Sequence, residues 1–177
     1  MAATLVIAGA RLLLADAVSP PTTVAIRDGT IAAIGADVPK GIRELRAEGL
    51  LLAPGLVDIH GDAFERQVQP RPGVDFRHDI ALIDTDAQLL ANGITTAFHG
   101  VTLSWEPGLR GETAFRALIA AWTALAGRLG ADHRIHLRLE TYAMDHWPAA
   151  EEAIAAGAVH LLAFNDHTAE IARRASD

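Results

Sequence analysis

The chain has no cysteine and a single lysine, Lys40. The first absence excludes a disulfide framework, a thiolate zinc site and a cysteine nucleophile. The second, together with a formal net charge of −7, leaves no basic patch for general nucleic-acid binding. Long apolar runs are missing too: no stretch reaches the roughly 18 uninterrupted apolar residues of a membrane span. The N-terminal Met1-Ala2-Ala3-Thr4-Leu5-Val6-Ile7 lacks the basic segment of a secretory signal, and Arg11 interrupts the apolar run. There is no phosphate-cradling glycine loop, no nucleophile elbow and no GxGxxG. The expectation is a cytoplasmic protein that engages neither nucleic acid nor membrane.

What is present is a chain of 177 residues, half of them hydrophobic, enough for one globular domain with a small appendage. Residues 4 to 50 read as short strands joined by turns. Thr4–Ile7 and Arg11–Leu14 form one expected pair, ended by Pro20-Pro21. Thr23–Ile26 and Ile31–Gly35 flank Asp28-Gly29, a hairpin signal because glycine tolerates positive φ. A small β-sandwich module over 1–53 follows from this pattern.

From 54 to 177 the pattern changes to strand, loop, helix, repeated. Strands are expected at Leu56–His60, Ile94–Gly100, Arg134–Glu140 and Val159–Asn165. Helices are expected at Asp79–Ala91, Glu112–Leu129 and Trp147–Ala156, with another beginning at Glu170–Ala175. In the second helix, Phe115, Leu118, Ile119, Trp122, Leu125 and Leu129 recur at three- and four-residue steps and mark one apolar face. Gly93, Gly130 and Gly157 stand where helix C-terminal caps are expected. Strands alternating with helices imply a parallel sheet with right-handed crossovers. A complete (β/α)8 barrel needs roughly 250 residues. Four units therefore make either an open sheet or the front half of a longer protein.

The charged residues collect at the ends of these strands, where parallel βα architectures build their sites. His60-Gly61-Asp62, His99-Gly100, Arg138-Leu139-Glu140 and Asp166-His167 each close one strand. Residues two apart on a strand share a face. His60 and Asp62 can thus address one ion; the alternative is a satisfied core histidine beside a helix cap. Glu140 is the third candidate ligand and His167 the fourth, while Asp62 and Glu140 are the candidate catalytic residues. Lys40 lies in the β module, so any bridging ligand from this chain is a carboxylate or a water. Arg138 shares a face with His136 and Glu140, where it orients the acid, pairs with it, or meets an anionic substrate. Arg66, and Arg71 between Pro70 and Pro72, add guanidinium groups suited to phosphate, the prolines lowering the entropy lost on binding. His78, His133, His146 and His160 have no comparable setting and default to surface or supporting positions.

The stretch Leu52-Ala53-Pro54-Gly55-Leu56-Val57-Asp58-Ile59-His60 resembles the barrel entry of the amidohydrolase superfamily. Pro70-Arg71-Pro72-Gly73-Val74, Asn92-Gly93-Ile94-Thr95-Thr96, His136–Glu140 and Asp166-His167-Thr168 follow in an order similar to its phosphonate-metabolism branch. That resemblance implies a β-sandwich followed by the first half of a (β/α)8 metal-dependent hydrolase barrel, with a divalent cofactor, zinc or manganese. It implies hydrolysis of α-D-ribose 1-methylphosphonate 5-triphosphate to the 5-phosphate and pyrophosphate, on the way to carbon–phosphorus bond cleavage. His60, Asp62 and Glu140 would be ligands, and His167 a ligand or its neighbour. His99 stands where some members carry an acid and receives no role. The later strands, which would supply another histidine and an aspartate base, are missing, so a second copy or a complementary C-terminal half is the expected partner. Two other readings stay open: an amidohydrolase-type deacetylase or deaminase of a small substrate, and a non-catalytic half-barrel that binds a partner or metal.

Overall fold

The computed structural model describes residues 5–35, 37, 41–169 and 173. Lys40 and, apart from Arg173, the helix expected over 170–175 lie outside the described residues. The chain divides into two compact units, Met1–Pro54 and Gly55–Asp177.

The first unit is built on β1 (Leu5–Leu12), β2 (Thr22–Arg27), β3 (Thr30–Ile34), β4 (Arg43–Arg46) and β5 (Leu51–Leu52). These form one mixed sheet in the order β3-β2-β1-β4, with β5 on the second half of β1. The β2–β3 hairpin turns as expected through Asp28 (φ 51°) and Gly29 (φ 76°), two positive φ values in succession. The first expected pair, in contrast, is a single strand. Gly9 interrupts it at φ 80°, and the ladder to β2 slips between Ala8 and Ala10. A Cβ at Gly9 would come within 2.8 Å of Glu48 Cγ. The bulge redirects β1 so that its first half pairs with β4 and its second with β5. Val6, Ala10, Leu12 and Val24 form the apolar interior of this sheet.

The second unit holds β6 (Leu56–Gly61), α1 (Phe64–Val68), α2 (His78–Ala91), β7 (Ile94–Leu103), α3 (Glu112–Leu125), β8 (Asp132–Glu140), α4 (Trp147–Ala155) and β9 (Leu161–Asn165). The four strands are all parallel, in the order β6-β7-β8-β9. Val101 and Leu103 of β7 and Ile135, Leu137 and Leu139 of β8 pack with Phe115, Leu118, Trp122 and Leu125 of α3 and with the alanines of α4. Fully burying each of the large side chains contributes about 1.5–3 kcal/mol. The alternate positions of β7 and β8 are thereby left for the other face.

Of the boundaries that differ from expectation, two have identifiable reasons. Helix α3 ends at Leu125, not Leu129, because Gly127 turns the chain at φ 73°. Gly130 is no cap: its N–H donates to the Asp86 carboxylate, and a Cβ there would meet Leu90 Cδ1 at 2.6 Å. Strand β7 continues past Gly100 to Leu103, since Val101 and Leu103 are both core residues. No helix among the described residues is long and apolar enough to cross a membrane.

Candidate active site

Strand β8 sends its odd-numbered residues toward the helices, so His136, Arg138 and Glu140 share the opposite face. Glu140 is 3% exposed. Its carboxylate accepts from His167 twice, from Nδ1–H at 2.5 Å and from the backbone N–H at 3.2 Å. Parallel pairing brings this about: Glu140 is level with Asn165, the last residue of β9, and His167 lies two residues further on. Two residues expected at neighbouring strand ends thus meet. Asn165 Nδ2 is buried beside them without a partner.

Lower on the same face lies His136, 8% exposed, its ring edge-on to that of His60 with centroids 5.2 Å apart. His136 Nδ1 is 3.3 Å from the Ile59 carbonyl oxygen. Burial holds its pKa below the ordinary histidine value, against the Ile59 hydrogen bond and helped by the charges of His60 and Arg138. Gly100 sits opposite His136 in the ladder. A Cβ on Gly100 would fill the space between Arg138 Cδ, at 3.5 Å, and His60 Cε1, at 3.8 Å.

Between these levels stands Arg138, which forms no hydrogen bond or ion pair with Glu140 or any other acid among the described residues. His167, not Arg138, orients Glu140. Arg138 acts instead on Glu65, whose pKa is raised chiefly by burial, lowered by Arg110, raised by Asp62 and lowered by Arg138. Asp62 leaves β6 directly above His60, and its carbonyl accepts the Glu65 N–H at 3.0 Å. The Asp58 carboxylate accepts the His60 N–H at 3.0 Å and pins the strand end from below.

The expected ligands therefore fall in two groups. His136 and Glu140 are four residues apart on one strand, roughly 13 Å at about 3.3 Å per residue. His60 contacts His136, and His167 contacts Glu140. His60, Asp62, Glu140 and His167 do not converge on a single point, and among the described residues no three His, Asp or Glu side chains do. The donor types, imidazole and carboxylate, fit a divalent ion such as zinc or manganese. The gap beside Gly100, which a methyl group would fill, leaves space against His60.

The two remaining arginines lie apart. Arg66, on α1, lines a cleft with Pro70, Phe76, Ile80 and Asp84 along α2. Arg71 opens a four-residue turn closed by Val74 N–H to Arg71 C=O at 3.1 Å, with Gly73 at φ 75°. Proline at the second position and glycine at the third suit a type II turn. Neither guanidinium has a hydrogen-bond or ion-pair partner among the described residues.

His99 belongs to the helix-facing side of β7 and is 1% exposed, so it is not a strand-end group. It bonds His133, which bonds Asp86. His133, expected at the surface or in support, has a side chain only 4% exposed. Its odd position beside Ile135, Leu137 and Leu139 was the available signal. The role of Glu65, three residues past Asp62, had no signal beyond its charge.

No family model matches the chain. It is 30% identical over 146 residues to the α-D-ribose 1-methylphosphonate 5-triphosphate diphosphatase of Escherichia coli K12, covering 81% of this chain and 39% of that protein. It is 31% identical over 93 residues to an allantoinase of Bacillus licheniformis, covering 52% of this chain and 19% of that one. Among solved structures, the D-hydantoinase of Bacillus sp. AR9 superposes with a TM-score of 0.62 at 20% identity, over 89% of this chain and 32% of that one. The chain thus spans well under half the length of each.

Proposed function

This chain belongs to the amidohydrolase superfamily, and from that premise we propose that its half-barrel serves metal-dependent hydrolysis of a phosphoanhydride, the 5-triphosphate of a ribose 1-methylphosphonate. The observation that carries the reading is Arg138, without a hydrogen-bond or ion-pair partner among the described residues and standing on one face of β8 between His136, whose ring meets His60, and Glu140. A guanidinium without an internal partner is suited to an anionic phosphate chain. The similarity to the diphosphatase supports the substrate class.

In this reading His60 and Asp62 would hold a divalent ion, with Glu140 and His167 forming a second donor pair toward the rim. When bound, such an ion lowers the pKa of water toward neutrality and polarises a phosphoryl oxygen. Arg138 neutralises charge on the phosphates, with Arg66 and Arg71 as outer contacts. Glu140, its carboxylate kept in place by His167, orients the attacking water, whose proton passes to the aspartate base that the later strands would supply. The bond broken joins the first and second phosphates. Water supplies the oxygen to one phosphorus, and the bridging oxygen leaves with the other, giving the 5-phosphate and pyrophosphate.

Among the described residues the sheet ends at β6 and β9, with Leu56, Val57, Ile59, Leu161, Leu162 and Phe164 exposed on them. Complementary strands from a second copy or a C-terminal half would complete the wall. We place the activity in the cytoplasm.

The test is pyrophosphate release from the ribose triphosphate by the chain with manganese or zinc, alone and with a complementary C-terminal segment. Turnover lost in Glu140→Gln and Arg138→Ala supports the proposal. The allantoinase similarity favours a second reading, hydrolysis of a cyclic amide. Turnover of allantoin or hydantoin without pyrophosphate release would replace the first reading with that one. Zinc binding without turnover of either substrate would leave a binding module.

A further inference from the structure

The ligands that the sequence points to on β6 are His60 and Asp62; the side chain in contact with His60 is His136. We propose that His136 is a metal ligand, binding through Nε2 the same ion as His60. The proposal rests on the metal-dependent reading above and extends it to a residue on a different strand.

The geometry of the ring pair is the first argument. Two imidazoles on one tetrahedral ion, with metal–nitrogen bonds of about 2.0–2.1 Å, hold their ring centroids roughly 5 Å apart. The His60 and His136 centroids are 5.2 Å apart with the planes at 77°. The tautomer is the second. The Ile59 carbonyl only accepts, so His136 Nδ1 carries the proton, and the lone pair is on Nε2. A backbone carbonyl on the far nitrogen is the arrangement that orients metal-bound histidines. Third, no hydrogen bond engages His136 Nε2 among the described residues. Fourth, Gly100 is level with His136 in the ladder and carries no side chain, leaving room beside the His60 ring.

The chemistry that would occupy this pair is a borderline divalent cation, zinc or one of its neighbours, because imidazole nitrogen is its preferred ligand here. Asp62 follows the last residue of β6, and its carboxylate does not join the two rings in a three-ligand cluster among the described residues.

The experiment is a titration of the full chain, labelled with 15N-histidine, with Zn2+ alone, followed by long-range 1H–15N spectra of the imidazoles. The expected result is that the Nε2 resonances of His60 and His136 shift together and saturate at one zinc concentration. His99 and His160 stay in place, being bonded elsewhere. His136→Gln, whose amide can still donate to Ile59, should weaken zinc binding at least about tenfold, with the circular dichroism spectrum unchanged. A shift of His60 without His136, or unchanged zinc affinity in His136→Gln, overturns the assignment and leaves the metal-dependent reading standing. No zinc response at any histidine overturns both. A response of both rings without pyrophosphate release keeps the site and removes the function.

Discussion

His99 Nε2 lies 2.8 Å from His133 Nδ1, with the two rings stacked at 13°. Asp86 fixes the direction of this bond. Its carboxylate accepts from the N–H groups of Gly130 and Ala131 and from His133 Nε2–H. Burial works against that charge, but these hydrogen bonds prevail and hold the Asp86 pKa below the ordinary aspartate value. With the His133 proton on Nε2, its Nδ1 is bare and accepts from His99. His99 Nδ1 is then also bare, and it is buried without a partner among the described residues.

Burial, followed by the charge of His133, pushes the His99 pKa down to about 3. The unfolded chain binds that proton near pH 6.5, and the folded chain does not until about pH 3. Between those limits stability must rise with pH, by up to about 1.4 kcal/mol per unit for one proton. Asp86, with its lowered pKa, adds loss in the same direction at the acid end. His99→Leu should flatten the urea midpoint as a function of pH between about 6 and 4. An unchanged slope would mean that His99 is not the group responsible.

Asp86 ties α2 to the start of β8 through the Gly130 and Ala131 N–H groups and His133 Nε2–H. Asp86→Ala takes the acceptor from the exposed Gly130 N–H, the buried Ala131 N–H and the buried His133 Nε2–H, costing about 1–3 kcal/mol for buried groups left unsatisfied. Asp86→Asn, which accepts but carries no charge, should recover part of that loss. The measurement is the urea midpoint at neutral pH. Equal stability of Asp86→Ala and the parent would show that the relay contributes nothing.

The half-barrel was legible because its signals are local. Alternation on β8 and the three- and four-residue steps of Phe115, Leu118, Trp122 and Leu125 each report one face of one element. Chain reversals were less legible, since Gly9 bends a strand and Gly127 ends a helix while looking like any other glycine. The site was half legible. Glu140 and His167 meet because equal strand ends in a parallel ladder are level with one another. His60 did not join them, because the register that sets it beside His136 is a long-range property. The β6–β7 ladder slips twice, between Leu56 and Val57 and between Asp58 and Gly61. No local pattern announces that offset, and it decides which side chains lie next to one another.

Two glycines separate fold from site. A Cβ at Gly55 would lie 2.0 Å from Thr95 Oγ1 and 2.7 Å from Thr95 Cβ, so Gly55→Ala must displace the start of β7. The expected cost is about 1–3 kcal/mol, read from thermal or urea unfolding. At Gly100 the nearest atoms are at 3.5 and 3.8 Å, an ordinary contact. Gly100→Ala should leave stability nearly unchanged while weakening zinc binding by crowding His60. If Gly100→Ala unfolds the chain or leaves zinc affinity intact, the space beside His60 is not the ion's.

Arg138 supplies the sharpest functional contrast with Arg66. Arg138 makes no internal hydrogen bond or ion pair among the described residues, so its removal takes no such bond from the fold. A charge-assisted contact to a phosphate is worth about 1.5–3 kcal/mol, equivalent to roughly a 10- to 150-fold change at 1.4 kcal/mol per decade. Arg138→Ala should lower kcat/KM for pyrophosphate release by about that factor, with the unfolding midpoint unchanged. Arg66 lines the cleft along α2, on a different element from His60, Arg138 and Glu140, so Arg66→Ala should cost several-fold less. Arg138→Lys keeps the charge and loses the planar fork, and it should fall between them. Equal losses in Arg138→Ala and Arg66→Ala would mean that the phosphates lie along α1 and not over β8.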